Sequence, residues 1–249
     1  MNILGIDTST KKANVCIKKG NEIFNKSIDN EITHSEKLLP LIDETLKEAN
    51  LKLSDMTHLA CSIGPGSFTG IRIGIATIKA FAKVLNAPIF SVSSLDILAY
   101  TNTDISSDYV ISMLDAKNSR VYYSMYKVNK LDNEVCVLEQ LIDYSNDVID
   151  IALEKISNVV LNLDITTQYS LKITGDCVSN YENICKEYLN SYFNNISIKT
   201  ESLSANSLIT MTENYIDNGY ADKYMKDYLT LDAIYVRPSQ AERAKNNED

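Results

Sequence analysis

Residues 61–85, CSIGPGSFTGIRIGIATIKAFAKVL, decide how this chain is to be read. The stretch opens as the end of a buried strand, holds Gly64, Gly66, Gly70 and Gly74, four of the chain's eight glycines, and closes as a long apolar helix. Strand, glycine turn and helix N-terminus are the parts of a phosphate cradle, since converging backbone N–H groups and the helix dipole favour an anion there. A phosphate loop of the GK[ST] kind also needs a lysine after its last glycine, and here the nearby cation is Arg72, already inside the helix. The other reading makes Gly64 to Ser67 a plain strand-to-helix turn with Ser67 as N-cap. Gly70 and Gly74 then lie on one helix face and lower it, so that another helix can approach, with Ile71, Ile75 and Ile78 as an apolar stripe beside them. Ala76, Lys79, Ala80 and Lys83 point elsewhere. A glycine inside a helix costs about 1 kcal/mol relative to alanine, so a compensating contact is expected. Packing onto the chain's own sheet would supply one as well as a partner would.

Upstream, MNILGIDTST, KKANVCIKKG and NEIFNKSID are three short alternating runs separated by polar turns, a strand meander. ITHSEKLLPLIDETLKEANL follows, with Thr33 and Glu36 at capping-box spacing and Leu38, Leu41, Ile42, Thr45, Leu46 and Ala49 at helical intervals. Pro40 inside that pattern predicts a kink, or a start at Ser35 that leaves the proline near the first turn. MTHLACSI is a buried strand, and downstream of the glycine segment APIFSVSS is a strand that enters a helix at SLDILAYT.

The polar cluster TNTDISSD, residues 101–108, is the best boundary in the chain. Beyond it, DYVISMLDAKNSRVYYSMYKV repeats the opening: a strand ending on an aspartate, a polar turn, a returning strand. The reading continues with a helix near 145–156, a strand LKITGD, a helix around NYENICKEYLNSYF, a strand ISIKT and a helix near SANSLITMTENYIDNG, and the tail PSQAERAKNNED loses all periodicity. The expected architecture is α/β: a first lobe over 1–103, a second and more divergent lobe over 104–249 whose last helix packs back on the first, mixed sheets flanked by helices, and a cleft between the lobes.

A formal charge of −9 repels phosphate backbones, and no basic run offers a local exception, so direct affinity for nucleic acid is expected to be weak. The five cysteines, Cys16, Cys61, Cys136, Cys177 and Cys185, form no CxxC pair and read as buried free thiols in a reducing compartment. No leader pattern opens the chain and no apolar run reaches about 18 residues, so a soluble cytoplasmic protein is expected.

ILGIDTST, HSEKLLPLID, GPGSFTGIRIGIATIKAFA, VSSLDILA, LDAKNSRVYYSMY, ITGD and YVRPSQAE together resemble the bacterial TsaB (YeaZ) family, the dimerisation subunits of the threonylcarbamoyladenosine tRNA-modification complex. The likeness is nearly continuous over the first half and comes in islands over the second. It implies the actin-like ATPase fold, shared with sugar kinases and with the catalytic partner TsaD, which modifies the adenine next to the anticodon. It further implies a noncatalytic chain that binds a TsaD-like subunit, joins a TsaE-like ATPase in the assembled complex, pairs with itself when alone, meets tRNA only indirectly and uses no membrane. The expected interface is a helical bundle using Leu38, Leu41, Ile42, Gly70, Ile71, Gly74, Ile75 and Ile78, with the other face of the glycine helix in the core.

Asp7 and Asp115 stand at equivalent turns of the two repeats, where actin-like ATPases hold phosphate and orient a metal or water. Asp7, Thr8, Ser9 and Asp115 are the candidates for such a site. Neither turn carries a glycine that would let the backbone close on a phosphate, and both aspartates serve equally as turn residues accepting backbone hydrogen bonds. No cofactor is expected. The catalytic relatives carry two histidines in a pattern like VNHLEAH where this chain reads VSSLDIL, so Ser94 and Leu98 take the ligand positions and neither can hold a transition metal. His34 and His58 are the only histidines, and neither HExxH nor GxSxG occurs. The competing functions are a small-molecule kinase or ATPase of the actin-like fold, which wants the missing glycines, and a metallopeptidase, which wants the missing histidine pair.

Overall fold

A computed structural model describes residues 1–29, 34–131, 135–163 and 169–237 of the chain. Thr33, the side chain of His34 and the tail from 238 onward lie outside the described residues.

The repeated strand, aspartate, turn and strand of the sequence folds twice into one topology. In the first sheet β1 (Asn2–Asp7), β2 (Lys12–Lys19) and β3 (Glu22–Asp29) form an antiparallel meander, and β4 (His58–Ser62) and β5 (Ile89–Val92) add in parallel on the other side of β1. In the second, β6 (Tyr109–Asp115), β7 (Arg120–Lys130) and β8 (Cys136–Val148) form the meander, with β9 (Ser170–Gly175) and β10 (Asn195–Thr200) parallel to β6. The orders β3-β2-β1-β4-β5 and β8-β7-β6-β9-β10 therefore correspond strand for strand. A two-residue strand, β11 (Met225–Lys226), closes the first sheet by pairing antiparallel with β5.

Helices cover both faces of both sheets, which is why β1, β4, β5 and β6 are apolar almost throughout rather than alternating. α1 (His34–Glu48) and α2 (Phe68–Leu85) bury Leu4, Ile6, Val15, Ile17 and Leu59 on the outer face of the first sheet. α3 (Ser94–Thr101) and α6 (Ala205–Asp217) pack against one another between the sheets, α6 on β1 and β2 and α3 on β6, β7 and β8. α4 (Ile149–Asn162) and α5 (Glu182–Leu189) cover the far face of the second sheet. The last helix thus lies against the first sheet.

α1 carries Pro40 within it, since helix runs on both sides of the proline. The helix expected near 145–156 starts later: β8 runs to Val148 in register with β7, and α4 begins at Ile149, where Ile149, Ala152, Leu153, Ile156 and Val160 set up the helical stripe. The residues assigned to the start of that helix are the end of an edge strand whose polar positions hide its period.

Candidate functional site

The glycine segment is filled, and by the chain itself. The backbone N–H of Ser67 donates to Ser9 O at 2.6 Å, and the Thr8 hydroxyl donates to Gly70 O at 2.7 Å. A Cβ on Gly66 would overlap Ser9 O, one on Gly70 would overlap Thr8 O, and one on Gly74 would overlap the Thr8 hydroxyl. Glycine is required at these positions because the β1–β2 turn lies directly on the first turns of α2. Ser67 caps the helix as expected, accepting from Gly70 N at 3.3 Å. The Ser67 and Gly70 N–H groups, which a phosphate cradle would aim at its anion, are committed to Ser9 O and to the Ser67 hydroxyl.

This corrects the face assigned to a partner. Leu38, Leu41, Ile42, Ile71, Ile75 and Ile78 all lie in the core between α1, α2 and the first sheet, and Gly70 and Gly74 are buried against Thr8. The reason is geometric: an apolar helix stripe reads alike whether a sheet or a second protein covers it, and here the sheet does. The opposite face of α2, taken to point elsewhere, is the one left to solvent. It presents Thr69, Ala76 and Ala80 exposed, Ile73 half-buried and Val84 80% exposed, with Arg72 and Lys83 at its rim. On α1, Leu39 is 56% exposed beside exposed Pro40.

The two aspartate turns differ. Asp7 is 1% exposed, and its Oδ1 accepts from Ser9 N at 3.0 Å, from the Ser9 hydroxyl at 2.7 Å and from the Ser62 hydroxyl, while Asn14 Nδ2 donates to Oδ2 at 3.4 Å. Thr8 and Ser9 are buried with it. Asp115 is exposed, accepting from Lys117 N at 2.9 Å and pairing with Lys117 Nζ at 2.8 Å, while its own N–H donates to Asp176 Oδ1 at 2.9 Å. Partial burial works to raise the Asp115 pKa, but the Lys117 ammonium and backbone N–H outweigh it and hold the carboxyl below its ordinary range. Lys117, Asn118 and Ser119 turn the chain with three consecutive left-handed conformations, φ 64°, 53° and 56°, without a glycine. Both aspartates act as turn residues in this geometry; Asp7 is in addition sealed in.

A strap after β11 joins the glycine segment to the Asp115 turn. Leu231 is buried in the first core, Ile234 N donates to Ile63 O at 2.8 Å beside Gly64, and the Tyr235 ring lies 5.0 Å from that of Phe68. Arg72 places its guanidinium 3.8 Å from the Phe68 ring and donates from Nε to the Tyr235 hydroxyl at 2.9 Å. Arg237 then donates from Nη1 to Ala116 O at 2.9 Å, inside the second turn. Nothing in the sequence flagged the strap, although its YVRP string lies in one of the resembling pieces.

Ser94 and Leu98, at the positions of the relatives' histidine pair, are wholly buried on α3 between the sheets, and Ser94 N donates to Gly64 O at 2.9 Å. Between them Asp96 is 2% exposed and accepts from Tyr126 at 2.7 Å and Tyr144 at 2.8 Å. Sequence reasoning passed over this aspartate.

The sequence model of the TsaD family, described as tRNA N6-adenosine threonylcarbamoyltransferase, matches residues 28–245. Among curated relatives, the tRNA threonylcarbamoyladenosine biosynthesis protein TsaB of the Buchnera aphidicola subspecies from Acyrthosiphon pisum is 30% identical over 190 residues, covering 75% of this chain and 82% of its own. TsaB of the subspecies from Schizaphis graminum is 36% identical over 128 residues, 51% of this chain and 61% of its own, and TsaB of Escherichia coli is 30% identical over 128 residues, 51% and 55%. The match thus spans about three-fifths of the length of several of these relatives. A solved structure of YeaZ from Pseudomonas aeruginosa superposes with a TM-score of 0.67 at 21% identity, covering 94% of this chain and all of that one. A second Pseudomonas aeruginosa structure, described as similar to peptidase YEAZ, gives 0.72 at 22%, covering 95% and 99%. The fold is the two-lobed α/β fold of these proteins, two sheets built on one strand order, and the chain belongs to the TsaB (YeaZ) family within the wider group that the TsaD model describes.

Proposed function

We propose that this chain is a noncatalytic partner subunit in tRNA threonylcarbamoyladenosine modification, binding and supporting a TsaD-like catalytic subunit that acts on the adenosine next to the anticodon. Its relatives are named for that biosynthesis, and the TsaD model spans most of its length. The observation that carries the reading is the closed first turn: Asp7 is saturated by Ser9, Ser62 and Asn14, and the α2 N-terminus holds Ser9 O where a kinase-like site would hold phosphate. That favours a scaffold over a kinase or ATPase of the same fold.

In this reading the first lobe, 1–103, carries the docking surface and the second, 104–249, braces it. The surface is the outward side of α1 and α2, centred on Leu39, Ile73, Ala76, Ala80 and Val84, rather than the buried stripe of Ile71, Ile75 and Ile78. Small residues at Ala76 and Ala80 allow a partner helix to come close, and the same patch pairs with itself in a homodimer when the partner is absent. A TsaE-like ATPase joins the assembled complex, tRNA is met through the partner, and the setting is the cytoplasm. Among the described residues no helix is long and apolar enough to cross a membrane. The test is reconstitution with a TsaD-like subunit: the chain is expected to co-purify with it, to be required for modification, and to modify no tRNA alone. Modification by the isolated chain, or a TsaD-like subunit that neither binds nor needs it, would overturn the proposal.

A further inference from the structure

Among the described residues, the core between the two sheets holds a buried carboxyl, Asp96, that no turn or partner-docking role accounts for. Asp96 leaves α3, the last helix of the first lobe, and takes one hydroxyl from each of two second-sheet strands: Tyr126 of β7 donates to Oδ1 at 2.7 Å and Tyr144 of β8 to Oδ2 at 2.8 Å. Around these bonds the packing is apolar, with Leu95, Leu98, Leu114, Val137 and Leu208 in the same cluster. We infer that Asp96, Tyr126 and Tyr144 form a proton-switched latch between the lobes, tightened on both strands by charge-assisted hydrogen bonds while the carboxylate is ionised and slackened to neutral ones when it takes up a proton.

Stoichiometry sets the direction. An ionised carboxylate is acceptor-only and satisfies both tyrosine donors, whereas the neutral acid has one oxygen turned into a donor. A proton taken from solvent therefore leaves one tyrosine as a neutral donor and turns the other into an acceptor of the acid's O–H, so that neither bond keeps its charge. Each tyrosine has a serine within hydrogen-bond reach to which its hydrogen can turn, Ser124 for fully buried Tyr126 and Ser93 for Tyr144, and half-buried Tyr144 is the one nearer solvent. β8 is also the edge strand, and its pairing with β7 shifts register next to this region. The groups facing Asp96 are Tyr126 and Tyr144 from the second sheet, Tyr215 from α6, and Lys223 and Tyr224 from the turn beyond it. β6 meets α3 with apolar Val110 and Leu114, and β9 with Thr174, which bonds Asn102 at the far end of the helix. Lys223 is the only cation of the set, and it is exposed, so it sees the carboxylate from solvent.

Burial raises the Asp96 carboxyl to about 6, against the opposing pull of the two tyrosine hydroxyls and Lys223. The unfolded carboxyl titrates at about 3.9, so between those values the folded chain holds a proton that the unfolded chain releases. The folding constant therefore gains up to about a hundredfold as pH falls from about 6 to about 4, and at pH 7.5 none of that gain is present. Acid stabilises the fold through this residue while loosening its grip on β8.

A double-mutant cycle of Asp96→Asn and Tyr144→Phe, read by urea unfolding at pH 7.5 and pH 4.5, tests the latch. At pH 7.5 the pair is expected to couple by a factor of about ten or more in the folding constant, as a hydrogen bond to a charged group does. At pH 4.5 the coupling is expected to fall to about threefold, that of a neutral hydrogen bond. Equal coupling at the two pH values would overturn the inference. Should Asp96→Asn fail to fold, Tyr144→Phe alone is expected to weaken the protein more at pH 7.5 than at pH 4.5, and an equal loss at both would overturn the inference. An isotope-labelled Asp96 carboxyl titrating near 6 in the unaltered chain supports the switch, and one titrating in the ordinary range near 4 contradicts it.

Discussion

Asp7 and Asp115 end the first strand of equivalent sheets, yet one is interior and the other surface. Around Asp7 the sequence supplies Ser9, Ser62 and Asn14, all short donors, and a glycine helix that closes over the turn. Around Asp115 it supplies Lys117 and a left-handed turn open to solvent, bridged by Arg237. A duplicated topology thus yields one turn converted into core and one left as surface. The converted turn is what leaves the far side of α2 free: with its inner face committed to Thr8 and the sheet, the helix has only its outer face to offer another molecule.

Substitutions at the two turns sharpen this contrast, beginning with the most damaging. Gly74→Leu drives a branched side chain into Thr8 and is expected to cost about 3 kcal/mol, the upper end of overpacking, measured by denaturant unfolding. Thr8→Ala removes the atom that a Cβ at position 74 would meet, so it is expected to restore part of the loss in Gly74→Ala. Asp7→Ala leaves buried donors of Ser9 and Ser62 without an acceptor and is expected to cost about 2–3 kcal/mol. Asp115→Asn, by contrast, breaks a largely solvated pair and should cost under about 1 kcal/mol in the same assay. Since the Asp115 pKa is held low in the folded chain, its small contribution is present above about pH 4 and fades as the solution is acidified through the folded value, the reverse of the Asp96 effect. Equal losses at the two aspartates would erase the distinction.

How far the fold could be read from sequence follows the range of the deciding contacts. The strand, aspartate and turn repeat announced both lobes because each copy is local, and Ser67 announced its cap because the cap is three residues long. The role of Gly70 and Gly74 was not legible, since the atoms that require them belong to Thr8, 62 positions before Gly70. Helical periodicity separated the two faces of α2 correctly but could not say which one a sheet would cover. Asp96 escaped notice inside the apolar run SLDILAYT because its partners lie 30 and 48 positions away on strands whose tyrosines read as ordinary packing. β8 was overlooked for the opposite reason: its polar positions broke the alternation that marks a strand.

Because α2 turns its glycines inward and its alanines outward, Ala76→Arg, assayed for stability and association together, separates the two faces. Ala76 is exposed, and an arginine there touches none of the core around Ile71, Ile75 and Ile78, so unfolding is expected to stay within about 0.5 kcal/mol of the unaltered chain. If the proposed docking holds, affinity for a TsaD-like subunit, followed by titration calorimetry, is expected to fall by tenfold or more, about 1.4 kcal/mol, as a buried charge replaces a close helix contact. A variant that unfolds, or one that is stable and binds with unchanged affinity, would contradict this arrangement of the helix.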